Sequence, residues 1–273
     1  MNHDKAKIIA DETIEAIKNE KYKTASGRTL SLDKLVSPAV RGSKLYKPDW
    51  IHDFVTNENK SPTISITNES TLEAAARLFG KNACALNFAS AKNPGGGFLR
   101  GSIAQEETIA RSSALYQTLI AHPEYYEENK KSQKDNVGIY LDYAIYSPNV
   151  PVIRNDNGDW LDEPYLISVV TSPAPNRRAI LSEGEVTKDL DDRIRFVFAR
   201  RMLQVLRIMA ENGHRTIILG AWGCGVFGND PCVVSKMFKS ALDEVPYFDE
   251  IIFAIYDKPD SEVMRAFKET FHD

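Results

Sequence analysis

The spacing of apolar residues divides the chain into a helical opening, an irregular stretch, and a long run in which strand and helix patterns alternate. In residues 4–20, Ala6, Ile9, Ala10, Thr13, Ile14 and Ile17 recur at helical intervals, predicting an amphipathic helix. Residues 21–60 mix short apolar pieces with polar residues, Pro38 and Pro48, and predict an irregular segment with a weak strand near 28–30. From position 63 the pattern changes: TISIT at 63–67 is rich in β-branched residues and predicts a strand. Ser70 and Glu73 have capping-box spacing for a helix over 71–79, closed by Gly80. The apolar run ACALNFA at 83–89 predicts a buried strand.

That strand feeds NPGGGFLRGSIAQEE at 93–107. Ser102 and Gln105 again have capping-box spacing, so Ser102 is the predicted N-cap of a helix running through Ile109, Leu115 and Leu119 and stopping before Pro123. Residues 124–135 are charged and predicted exposed, 138–146 alternate as a strand, and DNGD at 156–159 predicts a hairpin turn. YLISVVT at 165–171 predicts a strand, and SPAPN at 172–176 a proline-fixed loop. A long helix is predicted over 188–212, then a strand (216–219), a second glycine loop (220–230) and a helix from Pro231 to about 242. A last strand (251–255) and a last helix (261–271) follow. Strands alternating with helices imply an α/β layered sheet, largely parallel inside, with ligands at the glycine loops where strands end.

Composition narrows the classes. With 273 residues the chain is one large domain, or one domain with an extension. A net charge of −4 leaves no basic footprint, so direct nucleic-acid binding is not expected, and an anionic ligand must be held by local N–H groups. The N-terminus is charged and no stretch approaches a membrane span, so neither a signal peptide, an anchor nor membrane association is predicted. Cys84, Cys224 and Cys232 are odd in number and lack C-x-x-C spacing, which points to a reducing, cytoplasmic setting without structural zinc. The histidines His3, His52, His122, His214 and His272 show no ligand spacing, so no metal and no cofactor are expected.

The candidate chemistry lies in the two glycine loops. Three consecutive glycines, Gly95, Gly96 and Gly97, suit a place where the backbone takes positive φ or approaches another group closely. Glu106 and Glu107 follow in the first turn of a predicted helix, where acidic residues are ordinary dipole partners. A glycine loop just before unpaired helix N–H groups also suits a diphosphate. The second loop, GAWGCGVFGND, again joins a strand to a helix start; it is either a phosphate cradle or a tight turn. The first loop does not carry the dinucleotide-binding fingerprint with an acidic residue ~20 positions on, and neither loop carries a phosphate-loop lysine. Cys224 has no histidine in these loops to activate it and reads as a small filler.

N-P-G-G-G, seven residues, then Q-E-E resembles the signature of the poly(ADP-ribose) glycohydrolases, and the chain is most similar to their shorter, bacterial-type members. The resemblance implies a macrodomain-like, three-layer α/β/α fold with a mixed central sheet and a helical N-terminal extension, residues 1–60 packed on a catalytic core of 61–273. It implies hydrolysis of a ribose–ribose O-glycosidic bond, releasing ADP-ribose from poly(ADP-ribose) or ADP-ribosylated macromolecules. Glu107 would be the general acid and then the base, and Glu106 would hold the ribose hydroxyls. Asn93, Gln105 and Gly95–Gly97 would contact the substrate, as would Gly223, Gly225, Val226 and Phe227 of the second loop, with Phe227 against the ribose beside the scissile bond. A helix N-terminus favours ionised carboxylate, so protonation of Glu107 would depend on its neighbour, burial and bound substrate.

Alternatives from other classes stay open in the sequence. A macrodomain that only binds ADP-ribose would need the loops but not the paired glutamates. A hydrolase of ADP-ribose linked to protein or nucleobase would present similar contacts. A nucleotide phosphohydrolase would want an acidic cluster for Mg²⁺, and Asp230 alone does not make one. Asn68 and Glu69, ending the TISIT strand, are candidates for the adenine.

Overall fold

The computed structural model describes residues 1–50, 58 and 60–271. His52 and His272, and residues 51–57 and 59 of the irregular segment, lie outside the described residues. The chain opens with α1 (His3–Lys18), a two-stranded hairpin β1 (Lys21–Lys23) and β2 (Thr29–Ser31), then α2 (Asp33–Gly42) and β3 (Lys44–Tyr46). The segment read as irregular therefore holds a helix, which tolerates Pro38 inside it, and the strand near 28–30 is real.

The core continues with β4 (Thr63–Thr67), α3 (Thr71–Arg77) and β5 (Cys84–Phe88). After the glycine triplet come α4 (Gln105–Ser112), α5 (Leu115–Ile120) and α6 (Pro123–Ser132). A long hairpin, β6 (Ala144–Arg154) and β7 (Trp160–Ser172), leads to α7 (Arg177–Ser182) and α8 (Lys188–Glu211). The chain closes with β8 (Thr216–Leu219), α9 (Pro231–Glu244), β9 (Glu250–Ala254) and α10 (Glu262–Phe271).

Seven strands form one mixed sheet in the order β3-β6-β7-β5-β8-β9-β4. The run β7-β5-β8-β9-β4 is parallel, while β3 and β6 add antiparallel strands at one edge. Along β5, Leu86 points into an apolar layer with α8, α9 and α10, and Ala85 into a second layer with α3, α4 and α6. Both faces are covered, which is why these strands read as continuous apolar runs. Among the described residues no helix is long and apolar enough to cross a membrane.

Local sequence signals account for several elements. Ser70 caps α3 by accepting from Glu73 N–H, and Glu73 returns the bond to Ser70 N–H, completing the predicted box. Asn155 Oδ1 accepts from Asn157 and Asp159 N–H and closes the DNGD turn.

Other signals are overruled by packing. Ser102 does not cap α4: its N–H donates to Gly97 O at 3.2 Å and its carbonyl accepts from Arg111 Nη1 at 3.1 Å. Those bonds hold it in the preceding turn, so Ala104 is the N-cap and Gln105, Glu106 and Glu107 become the first three helical residues. The helix expected to run to Leu119 breaks at Ser113, which bridges to Val152, and Ala114 N–H donates to Pro151 O. Residues 124–135, expected exposed, form mostly α6, whose Tyr125, Tyr126 and Asn129 are buried. Residues 138–143 are not strand; Tyr140 sits there at φ +63°.

Candidate active site

The five parallel strands deliver their carboxyl ends to one edge of the sheet, where such folds bind ligands. From β5 comes the glycine triplet, from β8 the second glycine loop, from β7 the SPAPN loop, and β9 and β4 end at Tyr256 and Asn68. The β9 end is tied to β4 by Ile255 N–H to Thr67 O at 2.9 Å.

Glu106 is 3% exposed. Its Oε2 accepts from Ser90 N–H at 2.6 Å and its Oε1 from Asn87 Nδ2 at 3.3 Å. Burial, reinforced by the charge of Glu107, pushes this carboxyl up to about 8 against the hydrogen bonds it accepts. Glu107 is half-buried, and its Oε1 accepts from Gly97 N–H at 2.9 Å. Gly96 lies against both: at φ +62° a Cβ there would overlap Glu107 Oε1 and come within 3.0 Å of Glu106 Oε2. The triplet thus grips the two carboxylates, and Gly97 N–H is already committed to Glu107. Gly95 also faces Glu106 through its N–H.

Gln105 turns away from the opening. Its Oε1 accepts from Phe88 N–H at 2.9 Å, and its Nε2 donates to Leu86 O at 2.8 Å and Thr71 Oγ1 at 3.1 Å. This carboxamide bonds to the protein and clamps α4 to the end of β5. Asn93 is exposed in the turn before the triplet, its carbonyl accepting from Gly96 N–H at 2.9 Å.

The second loop folds on itself. Asn229 is buried; its N–H donates to Gly223 O, and its Nδ2 donates to Gly223 O at 3.0 Å and Pro175 O at 2.8 Å. Gly223, at φ +76°, has no room for a side chain, since a Cβ would lie 2.6 Å from Asn229 Nδ2 and 2.7 Å from Ala174 Cβ. The consecutive N–H groups of Gly225, Val226 and Phe227 meet no acceptor among the described residues, Gly225 is open, and Val226 is 66% exposed. Three adjacent N–H groups without an acceptor are the kind of donor set that suits an anion. The N-terminus of α9 does not add to it as the sequence suggested, because Asp230 Oδ1 accepts from Cys232 and Val233 N–H and occupies that end. Cys224 is largely buried, and burial pushes its thiol up to about 12.

Phe227 is half-buried, its ring centroid 6.4 Å from that of Tyr140. Tyr140 is in turn held by Arg201, which is 0% exposed and donates to the carbonyls of Ile139, Tyr140 and Pro173 and to Asp142 Oδ1 at 2.6 Å. Sequence spacing gave no sign of Tyr140, Asp142 or Arg201, which lie far from both motifs. Tyr256, 82% exposed beside Asn68, was also missed; an aromatic residue just past a buried strand was its only signal.

Among the described residues no group of three or more His, Cys, Asp or Glu side chains is arranged to hold a metal ion. The arrangement offers a buried carboxyl pushed toward its neutral form beside a more open one, with unpaired N–H groups on the neighbouring strand end. Such a carboxyl pair suits acid–base attack at a sugar carbon.

Residues 10–155 match the microbial-type PARG catalytic domain. The poly(ADP-ribose) glycohydrolase of Thermomonospora curvata is 41% identical, with 98% of this chain and 99% of that one covered at a TM-score of 0.89. A structure of the Thermomonospora curvata enzyme bound to the inhibitor ADP-HPD matches at 40% identity, 98% and 99% coverage, and a TM-score of 0.86. The poly(ADP-ribose) glycohydrolase of Deinococcus radiodurans in complex with ADP-ribose is 33% identical over 87% of this chain and 96% of that one, with a TM-score of 0.76. No curated protein sequence matches the chain. The GGG…QEE geometry and the near full-length similarity agree, and the chain belongs to the microbial-type poly(ADP-ribose) glycohydrolase family.

Proposed function

We propose that this protein hydrolyses the ribose–ribose O-glycosidic bond of poly(ADP-ribose) and releases ADP-ribose, with Glu107 delivering a proton to the leaving oxygen and then activating water. The observation that carries the reading is the grip of the triplet on both carboxylates at the end of β5. Glu106, driven toward its neutral form, donates to a ribose hydroxyl and holds the sugar in register. The N–H groups of Gly225, Val226 and Phe227 hold the diphosphate, whose charge offsets the oxocarbenium character of the sugar. Asn93 contacts the ribose that is cleaved, Phe227 packs against it, and Tyr256 with Asn68 receives the adenine. Binding of ADP-ribose or its analogue by the relatives supports this layout. Residues 1–60 act as an extension on the core of 61–273 that lends β3 to the edge of its sheet, and the unpaired cysteines fit action in the cytoplasm.

The test uses wild type and Glu107→Gln against labelled poly(ADP-ribose) without added metal. Wild type is expected to release ADP-ribose, while the variant loses about 10²–10⁴ in kcat and still binds free ADP-ribose. Binding without release by either protein would mean a reader, or a hydrolase of another linkage.

A further inference from the structure

We infer that Arg178 is a specificity-determining residue that binds the diphosphate of the ADP-ribose unit on the leaving-group side of the scissile bond; the inference rests on the reading above. Along the sheet, Asn68 and Tyr256 lie at the β4 and β9 ends, the N–H nest at β8, and the paired glutamates at β5. A ligand laid with its adenine over β4 and β9 and its diphosphate over β8 has its scissile ribose over β5. The rest of the polymer then continues over β7, the next strand in order. The loop from β7 leads directly into Arg177 and Arg178 at the start of α7.

Arg178 is fastened to the site. Its N–H donates to Phe227 O at 3.1 Å, and its stem crosses Gly228, where a Cβ would lie 3.0 Å from Arg178 Cγ and 3.3 Å from Arg178 Nε. Its side chain is exposed, and no carboxylate among the described residues pairs with it. Its neighbours are committed: Arg177 and Arg195 to Asp191, and Arg193 to Asn136 Oδ1 at 2.5 Å. An unpaired guanidinium held against the loop that carries the ribose-packing Phe227 is matched to a phosphate by its fork of donors. The chain's net charge of −4 makes such a local cation the means of holding a polyanion there.

The experiment compares wild type, Arg178→Ala, Arg178→Glu and, as a control for general surface charge, Lys188→Ala. The KM for poly(ADP-ribose) and the Kd for free ADP-ribose are measured at several salt concentrations. Arg178→Ala is expected to raise KM for polymer by about tenfold, with Arg178→Glu raising it further, while Kd for ADP-ribose and kcat stay within about twofold. The salt dependence of KM flattens in Arg178→Ala and persists in Lys188→Ala. An unchanged polymer KM, an equal loss of ADP-ribose affinity, or an equal effect of Lys188→Ala would overturn the assignment. Failure of wild type itself to release ADP-ribose from polymer would instead overturn the functional reading.

Discussion

Gly97 donates its backbone N–H to Glu107 Oε1 at 2.9 Å, so the glycine triplet positions a carboxylate before it meets any ligand. The close approach this requires is made at Gly96, which rests on both glutamates at φ +62°. Substitution of Gly96 by alanine forces its Cβ into the Glu107 carboxylate and adds strain of about 1–3 kcal/mol at positive φ. A displacement of about 1 Å at the reacting group costs roughly 10²-fold in rate. Gly96→Ala is therefore expected to lower kcat by about that factor while far-UV circular dichroism stays native. Wild-type turnover would show that the triplet does not position the pair.

The raised Glu106 carboxyl makes a prediction about stability. Its ordinary value is 4.5 and the folded value about 8, so between those pH values the native state binds a proton the unfolded state releases. Stability contributed by this group is then full below about 4.5 and falls as pH rises toward 8. Glu106→Gln removes the titration. The difference in Tm between variant and wild type is expected to grow in the variant's favour from pH 5 to 8.5, and a constant difference would show that Glu106 ionises normally.

Arg201 and Asp142 form a buried pair that organises the floor under Phe227. Arg201 is fully buried and bonds Asp142 and three carbonyls, including that of Tyr140. Asp142→Ala leaves a buried guanidinium without its counter-charge, at a cost of about 3–5 kcal/mol. A lowered denaturant midpoint with unchanged m-value is expected. Loss below about 1 kcal/mol would mean that the carbonyls alone satisfy Arg201.

The local chemistry of this protein was legible in its residues. The α3 capping box, the DNGD turn, the strands at Thr63–Thr67 and Thr216–Leu219 and the long α8 helix follow from side-chain spacing and short-range hydrogen bonds, which a sequence carries directly. The triplet and the paired glutamates were legible for the same reason, as one contiguous motif. Long-range partners decided the rest. Ser102 has the spacing of an N-cap, yet Arg111 and Gly97 hold its backbone elsewhere. Gln105 belongs to the motif, yet Phe88, Leu86 and Thr71 consume its amide. Asp230 closes a helix end that looked free, and the N–H groups left without acceptors are those of residues 225–227. Arg178 gains its place because the sheet order sets β7 beside β5, and Arg201 reaches Tyr140 only through the packing of α8. Pairing between strands more than eighty residues apart is a property of the packed chain, and no spacing along the sequence encodes it.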